Sequence, residues 1–211
     1  MRSAAVWTIA LLLSGSATVL AADVPIVHEE RGEFSAGALS FESRVDIAKD
    51  CKTVFTGMTD VQRIQALIPH LNGKSKVKQA ANPGDAMSYE FVRKDGTKAT
   101  GRFILTTVEE NNRIQFLVQP DQGPWLRVQE FRLYAPAAGP KKDSECTVIY
   151  EETYNPKPLH NAGYDLKEII QDIRAPYMQI ILRRLKNAAE GRAPGPAKEA
   201  DELKEIAKNF P

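Results

Sequence analysis

The order in which hydrophobic periodicity changes along the chain constrains its fold more than any other feature. Residues 39–47 alternate strictly between apolar and polar, as a half-buried strand does. Two short stripes with helical spacing follow at 51–58 and 61–68. Short alternating segments then fill 75–154, and the longest helical stripe comes last, at about 165–189. This order predicts one α+β domain in which an antiparallel meander precedes a long C-terminal helix.

The two short helical stripes predict a helix–turn–helix arrangement. Cys51, Val54, Phe55 and Met58 recur at i, i+3, i+4 and i+7, with Asp46 or Asp50 near the start as a cap. The second stripe ends at a proline. A DNA-binding version of this arrangement needs a basic second helix, and this one holds a single arginine.

Six segments of the meander are predicted as strands, and the last helix contains a proline. The strands are 75–79, the strand that carries Met87, Tyr89 and Phe91, then 97–108, 113–119, 125–135 and 145–154. Pro176 interrupts the final helical pattern, so a kink or a break into two helices is expected there. Arg183 and Arg184 are assigned to the polar face of this helix.

The N-terminus has the pattern of a secretory signal peptide over residues 1–22. Arg2 precedes an apolar run, and Ala21 and Ala22 are small residues suited to cleavage. An uncleaved anchor helix is the alternative, but a polar break shortens the run below the roughly 20 residues that span a bilayer. Export to the periplasm or outside the cell is therefore expected. Residues 23–33 are predicted as an extended lead-in, 34–190 as the domain, and 191–211 as a linker with a charged helical tail whose Leu203 and Ile206 could dock.

The charge balance excludes one class of partner. There are 28 Lys and Arg against 27 Asp and Glu in 211 residues, so the basic surplus that phosphate binding requires is missing. Nucleic acid is not an expected partner. After signal cleavage no stable membrane span is predicted, while transient membrane contact and the oligomeric state stay open.

Strand 125–135 has no cleanly apolar face. Arg127 and Gln129 share one face, and Glu130 and Arg132 share the other, so either of these polar pairs could point inward. A polar ligand group in a cavity, a solvent-exposed edge or a cross-strand ion pair would each explain this, because an unpaired buried charge is costly.

No catalytic or metal-binding motif stands out. Nucleophile elbows, zinc-binding helices and phosphate loops are missing, and His28, His70 and His160 are scattered over predicted loops. Two cysteines and three dispersed histidines do not make a zinc site. No catalytic residue, metal or cofactor is predicted.

The order of elements resembles the START-like superfamily (SRPBCC), which includes polyketide cyclase/dehydrase proteins, pollen-allergen-type proteins, START lipid-transfer domains and coenzyme Q-binding proteins. The resemblance covers about 34–190. The residues that carry it are Val45, Asp46, Ile47 and Ala48; Val54 and Phe55; segment 58–64; Ile68 and Pro69; and the end of the last helix at 185–190.

This resemblance implies a helix-grip fold, in which a curved antiparallel sheet of about seven strands wraps around the C-terminal helix. It also implies a cavity between sheet and helix that suits an apolar ligand. The residues predicted to bind that ligand are Phe55, Leu67, Tyr89, Phe91, Phe103, Phe116, Trp125, Arg127, Phe131, Tyr150, Ile169, Ile173, Tyr177 and Ile180. The alternative for each of them is ordinary core packing, which every fold requires.

In such a fold the first and last strands pair, which implies that Cys51 and Cys146 lie close enough for a disulfide. Two buried thiols are the alternative. The function that the resemblance implies is an exported binding protein for a hydrophobic small molecule (a lipid, sterol, quinone or polyketide). The alternatives are a polyketide cyclase or aromatase, in which a residue such as Arg127 or Tyr150 polarises a carbonyl, and a protein-binding adaptor with a collapsed cavity.

Overall fold

A seven-stranded antiparallel sheet curves around the C-terminal helical region, which is the helix-grip fold. The computed structural model describes residues 26–32, 35–60, 63, 67, 82–137, 143–193 and 195–209. The sheet order is β1-β2-β7-β6-β5-β4-β3. The strands are β1 (Ile26–Gly32), β2 (Ser35–Ile47), β3 (Ala86–Val92), β4 (Lys98–Glu109), β5 (Arg113–Pro120), β6 (Arg127–Tyr134) and β7 (Cys146–Tyr154).

The helices lie on one side of this sheet, and their apolar faces share one core with it. In the described part of the chain they are α1 (Cys51–Thr59), α2 (Pro156–Asn161), α3 (Leu166–Ile169), a π-helical turn (Ile170–Arg174), α4 (Ala175–Ala189) and α5 (Ala197–Lys208). Helix α4 packs against β2 and against α1. Asp50 caps α1 by accepting a hydrogen bond from the Thr53 amide at 2.8 Å, which is one of the two caps expected.

Two segments differ from the sequence-based expectation. Residues 26–32, expected to be only an extended lead-in, pair with β2 as an edge strand. The short helix α2 was predicted as a loop. Asn155 caps it and Pro156 occupies its first turn, where the missing N–H has no intrahelical acceptor to lose. The predicted strand 75–79 and most of the predicted second helix lie outside the described residues, as does the predicted signal peptide.

The break expected at Pro176 takes the form of a π-helical turn. The Ala175 amide bonds to the Ile170 carbonyl, five residues back, so the turn is one residue wider than an α-helical one. A proline in a helix has no N–H, and its ring clashes with the carbonyl four residues earlier. The wider turn directly before Pro176 therefore joins α3 and α4 into one continuous helical region.

The predicted disulfide is present. Strands β2 and β7 pair antiparallel with Ile47 opposite Cys146, which places the start of α1 beside the start of β7. Cys51 and Cys146 are bonded, with 4.9 Å between their Cα atoms. The bridge joins residues 95 positions apart in the sequence.

The C-terminal helix α5 docks firmly on the domain. Leu203 is fully buried, and Ala207 is almost so. The Lys94 amide in the β3–β4 turn donates to the Lys208 carbonyl at 2.9 Å, and Arg183 of α4 pairs with Glu199 at 2.8 Å. In the described part of the chain, no helix is both long enough and apolar enough to cross a membrane.

Candidate binding site

A carboxylate lies at the centre of the inner face of the sheet. Strand β7 alternates buried and half-buried residues, and its buried side carries Val148, Tyr150, Glu152 and Tyr154. Glu152 is fully inaccessible to solvent. Because successive strand residues face opposite sides, the adjacent Glu151 points away from the core. The two glutamates therefore do not form a carboxylate pair.

Three neutral side chains donate hydrogen bonds to Glu152. The Tyr154 and Tyr150 hydroxyls each donate at 2.9 Å, to Oε1 and Oε2 respectively. Gln129, on the neighbouring strand β6, donates from Nε2 to Oε1 at 3.3 Å. These bonds compensate part of the cost of burying a charged group.

Two arginines flank the same carboxylate. Arg174, the last residue of the π-helical turn, donates from Nη2 to both oxygens of Glu152, at 2.9 and 3.1 Å. Arg127, at the start of β6, places Nε 2.5 Å from Oε1 of Glu152. The Arg174 guanidinium also lies over the ring of Tyr177, 5.2 Å from its centre. We call Glu152, Arg127 and Arg174 the buried ion cluster.

Protonation in this cluster follows from burial and charge. Burial by itself would raise the pKa of Glu152, but the nearby Arg174 and Arg127 charges and the hydrogen bonds bring that pKa below its ordinary value. Burial, together with the Glu152 charge, raises the pKa of Tyr150 and of Tyr154 above the ordinary value. At neutral pH the carboxylate is therefore ionised, and both tyrosines keep the protons that they donate.

A narrow cavity opens beside the buried ion cluster, between one end of the sheet and the C-terminal helical region. It is lined by Tyr89, Phe91, Arg93, Ala99, Thr100, Pro120, Trp125, Arg127, Tyr154 and Arg174. The centres of water-sized groups can occupy about 30 Å³ of it. Pockets that enclose drug-sized ligands have about 300–1,000 Å³. The cavity as it stands therefore admits a small chemical group and not a whole lipid.

The apolar walls of the cavity are held by close packing. Tyr89 lies against Phe91 and Phe103, with ring centres 6.0 and 5.3 Å away. On the other wall, Trp125 contacts the Tyr164 ring edge-on at 4.8 Å. Gly101 permits the position of Tyr89, because a Cβ there would lie 2.5 Å from the Tyr89 hydroxyl oxygen.

Strand β6 uses its two polar faces differently. Arg127 and Gln129 point inward, where Arg127 forms an ion pair with Glu152 and Gln129 donates a hydrogen bond to it. On the outer face, Arg132 bonds to Glu151 at 2.8 Å, and Glu130 bonds to Arg113 at 2.5 Å. Cross-strand ion pairing thus accounts for both faces, and the inner pair also borders a cavity.

The structure brings four of the fourteen predicted ligand residues to this cavity: Tyr89, Phe91, Trp125 and Arg127. The other ten lie elsewhere in the core. Those that are buried are Phe55, Leu67, Phe116, Tyr150, Tyr177 and Ile180, and those that are half-buried are Phe103, Phe131, Ile169 and Ile173.

Sequence reasoning missed several residues of the site, although two carry a recognisable signal. Glu152 falls on the buried alternation of β7, two residues from each of two tyrosines. Arg174 falls on the apolar helical stripe, four residues after Ile170 and three before Tyr177. Arg184, assigned to the polar face, is instead buried, and its Nε donates to the Leu67 carbonyl at 3.0 Å. No sequence pattern indicated that Arg93 would line the cavity.

The described residues hold no group of three or more His, Cys, Asp or Glu side chains that could bind a metal ion. His160 is exposed on α2, and His70 lies outside the described residues.

Comparison with known proteins identifies the fold but not a family. No protein-family model matches the chain, and no curated protein matches it in sequence. Among solved structures, a protein from Arthrobacter aurescens is similar with a TM-score of 0.55 and 15% identity, over 73% of this chain and 87% of that one. CalU16 from Micromonospora echinospora is similar with a TM-score of 0.53 and 13% identity, over 86% and 92%.

DynU16, a protein of the dynemicin biosynthetic locus, is similar with a TM-score of 0.51 and 15% identity, over 74% of this chain and 49% of that one. At these identities the similarity extends to the fold and not to individual site residues. The shared architecture agrees with the helix-grip fold expected from the sequence.

Proposed function

We propose that this protein is an exported binding protein for a small apolar molecule, which it holds at the cavity beside the buried ion cluster. The observation that carries the proposal is the cavity itself, in which aromatic walls meet a charged floor. Ligand sites typically combine apolar walls with a few fixed polar groups in this way. Here Phe91 and Trp125 supply apolar surface, and Arg127 and Arg174 supply the polar groups.

The cavity volume sets how such a ligand would bind. About 30 Å³ accommodates a polar head group. In one arrangement, the apolar part of the ligand lies against the aromatic residues Phe91 and Trp125 at the cavity wall. In the other, the cavity widens to enclose the apolar part. Complete enclosure of a sterol or a lipid chain would require the second route.

Export is supported by two features. The first 22 residues have the composition of a signal peptide, and the disulfide is a bond that persists in oxidising compartments.

The test is native mass spectrometry with solvent extraction of protein purified from its own host. A reproducible bound species is expected in the wild type. Ala99→Leu should abolish it, because Ala99 is a small, buried residue of the cavity wall. Lys98→Leu is the matched control, since Lys98 is the adjacent exposed residue on the same strand and should leave the bound species in place.

A second candidate function is a protein-binding adaptor with a collapsed cavity, and the small cavity volume favours it. An adaptor would purify without a ligand, and Ala99→Leu would leave its partner binding unchanged. Wild-type protein that carries no small molecule would therefore contradict the first proposal and favour the second.

A further inference from the structure

The cavity is lined by positive charge. Three arginines, Arg93, Arg127 and Arg174, contribute to its wall, and none of the lining residues that the structure describes is acidic. The carboxylate of Glu152 lies behind the wall and forms ion pairs with two of these arginines, Arg127 and Arg174. Asp121, whose charge acts on Tyr89, is exposed to solvent, which screens it.

Arg127 has hydrogen-bonding capacity that the described part of the chain does not use. Its side chain is only 12% exposed. Its Nε lies close to Glu152 but lacks the alignment of a hydrogen bond, and its Nη1 makes one long bond of 3.4 Å to the Trp125 carbonyl. A guanidinium carries five N–H donors, and buried donors are normally satisfied. An acceptor in the cavity would satisfy them.

The charge balance of the cluster favours a negative acceptor over a neutral one. Two almost buried guanidiniums share one buried carboxylate, which leaves an excess of one positive charge within the buried ion cluster. Burial makes an uncompensated charge expensive, and it strengthens the attraction of an opposite charge. Arginine also binds carboxylates through paired, charge-assisted hydrogen bonds.

The size of the cavity fits the same chemistry. A water-sized group needs roughly 10–15 Å³ of such volume, so about 30 Å³ holds two or three of them. A carboxylate has three non-hydrogen atoms. The aromatic rings of Phe91 and Trp125 at the wall then contact the apolar part of the molecule.

We propose that the ligand of this site is an apolar or aromatic carboxylic acid, whose carboxylate enters the cavity and binds Arg127. This inference rests on the proposed binding function and specifies the chemical class of the ligand.

The experiment compares two probes of the same shape, 1-naphthoate and the neutral 1-naphthamide, by isothermal titration calorimetry on the whole protein at pH 7. The carboxylate is expected to bind at least tenfold more tightly than the amide. Arg127→Gln should reduce this preference to less than threefold, because it removes the guanidinium that binds the carboxylate and the excess positive charge of the buried ion cluster. Arg132→Gln, which changes an arginine on the outer face of the same strand, should preserve it.

The wild-type ratio keeps the test decisive even if Arg127→Gln fails to fold. Arg93→Gln is a second variant outside the hydrogen bonds to Glu152, and it should lower the preference two- to fivefold. Equal affinity of the wild type for both probes would overturn the carboxylate assignment and leave the binding function standing. Failure of the wild type to bind either probe would also overturn the carboxylate assignment, whereas the binding function is overturned only by wild-type protein that carries no small molecule in native mass spectrometry.

Discussion

Arg174 and Glu152 are 22 residues apart in sequence, yet Nη2 of the arginine bonds to both carboxylate oxygens inside the protein. The contact joins the π-helical turn to the centre of β7, so a distortion of the helix and a buried charge on the sheet are parts of one arrangement. Four of the groups that surround the carboxylate come from β6 and β7, namely Arg127, Gln129, Tyr150 and Tyr154.

Replacing the central carboxylate should destabilise the protein strongly. Glu152→Gln leaves two buried guanidiniums without a counter-charge, and breaking a buried pair in this way typically costs about 3–5 kcal/mol. Urea unfolding at pH 7 measures the change. Glu151→Gln is the control, because Glu151 faces outward and its ion pair with Arg132 is partly exposed. It should cost about 1 kcal/mol or less, and equal losses in the two variants would refute the special role of the cluster.

The same substitution should change how stability depends on pH. The folded-state pKa of Glu152 lies below its ordinary value of 4.5, so its ionised form stabilises the native state above that pH. That contribution is lost as the pH falls through the lowered pKa. The difference in unfolding free energy between wild type and Glu152→Gln should therefore shrink below pH 4.5. Urea titrations at pH 7, 5, 4 and 3 measure it, and a constant difference would contradict the assignment.

Loss of the disulfide should also be costly. The bridge between Cys51 and Cys146 closes a loop of nearly 100 residues, and removing a native disulfide from a small exported domain typically costs about 2–5 kcal/mol. The double variant Cys51→Ala and Cys146→Ala should unfold at lower urea concentration than the oxidised wild type. Reduction with dithiothreitol should shift the wild type in the same direction and leave the double variant unchanged.

A single methyl group at Gly101 should disturb the cavity wall. Its Cβ would lie 2.5 Å from the Gln119 carbonyl oxygen as well as from the Tyr89 hydroxyl, so both backbone and side chain must move. Overpacking of this kind typically costs about 1–3 kcal/mol. Gly84→Ala, at an exposed turn, serves as a comparison for thermal unfolding: it is strained by its positive φ, but no described atom lies within 4 Å of its Cβ position, and Gly84 is not part of the cavity wall. Only Gly101→Ala should also alter probe binding.

The docked C-terminal helix should contribute to global stability. Leu203 is fully buried, and truncation of such a leucine costs about 2–5 kcal/mol. Leu203→Ala should therefore lower the urea midpoint clearly, whereas the neighbouring exposed Lys204→Ala should have little effect. If α5 contributed nothing to global stability, Leu203→Ala and Lys204→Ala would have similar urea unfolding curves.

The order of elements was predictable because it depends on local periodicity, and the disulfide was predictable because the fold that this order resembles pairs the first strand with the last. Residues 39–47 and 146–154 alternate clearly, and their antiparallel pairing brings the two cysteines together. The edge strand at 26–32 was not predicted as a strand, because its pattern is short, polar and interrupted.

The site was harder to predict than the fold. Arg127 belonged to one of the two residue pairs of β6 that could point inward. Which pair does so depends on Glu152 of β7, which no sequence pattern identified as its partner. Glu152 and Arg174 form a pair only because the π-helical turn packs against the sheet. No local sequence pattern indicates that these two residues are close in space. The cavity volume depends on how tightly Tyr89 packs over Gly101, which sequence periodicity does not determine.

Trp125 gives the cavity an optical reporter of its own. The chain has two tryptophans, and the other, Trp7, falls within the predicted signal peptide. A chain cut after Ala21 or Ala22 retains a single indole, which forms part of the cavity wall beside Tyr154 and Tyr164. The tryptophan fluorescence of the cleaved chain therefore comes from Trp125 alone. Ligand binding to the cavity, or release from it, can be followed in real time by this fluorescence without attaching a dye.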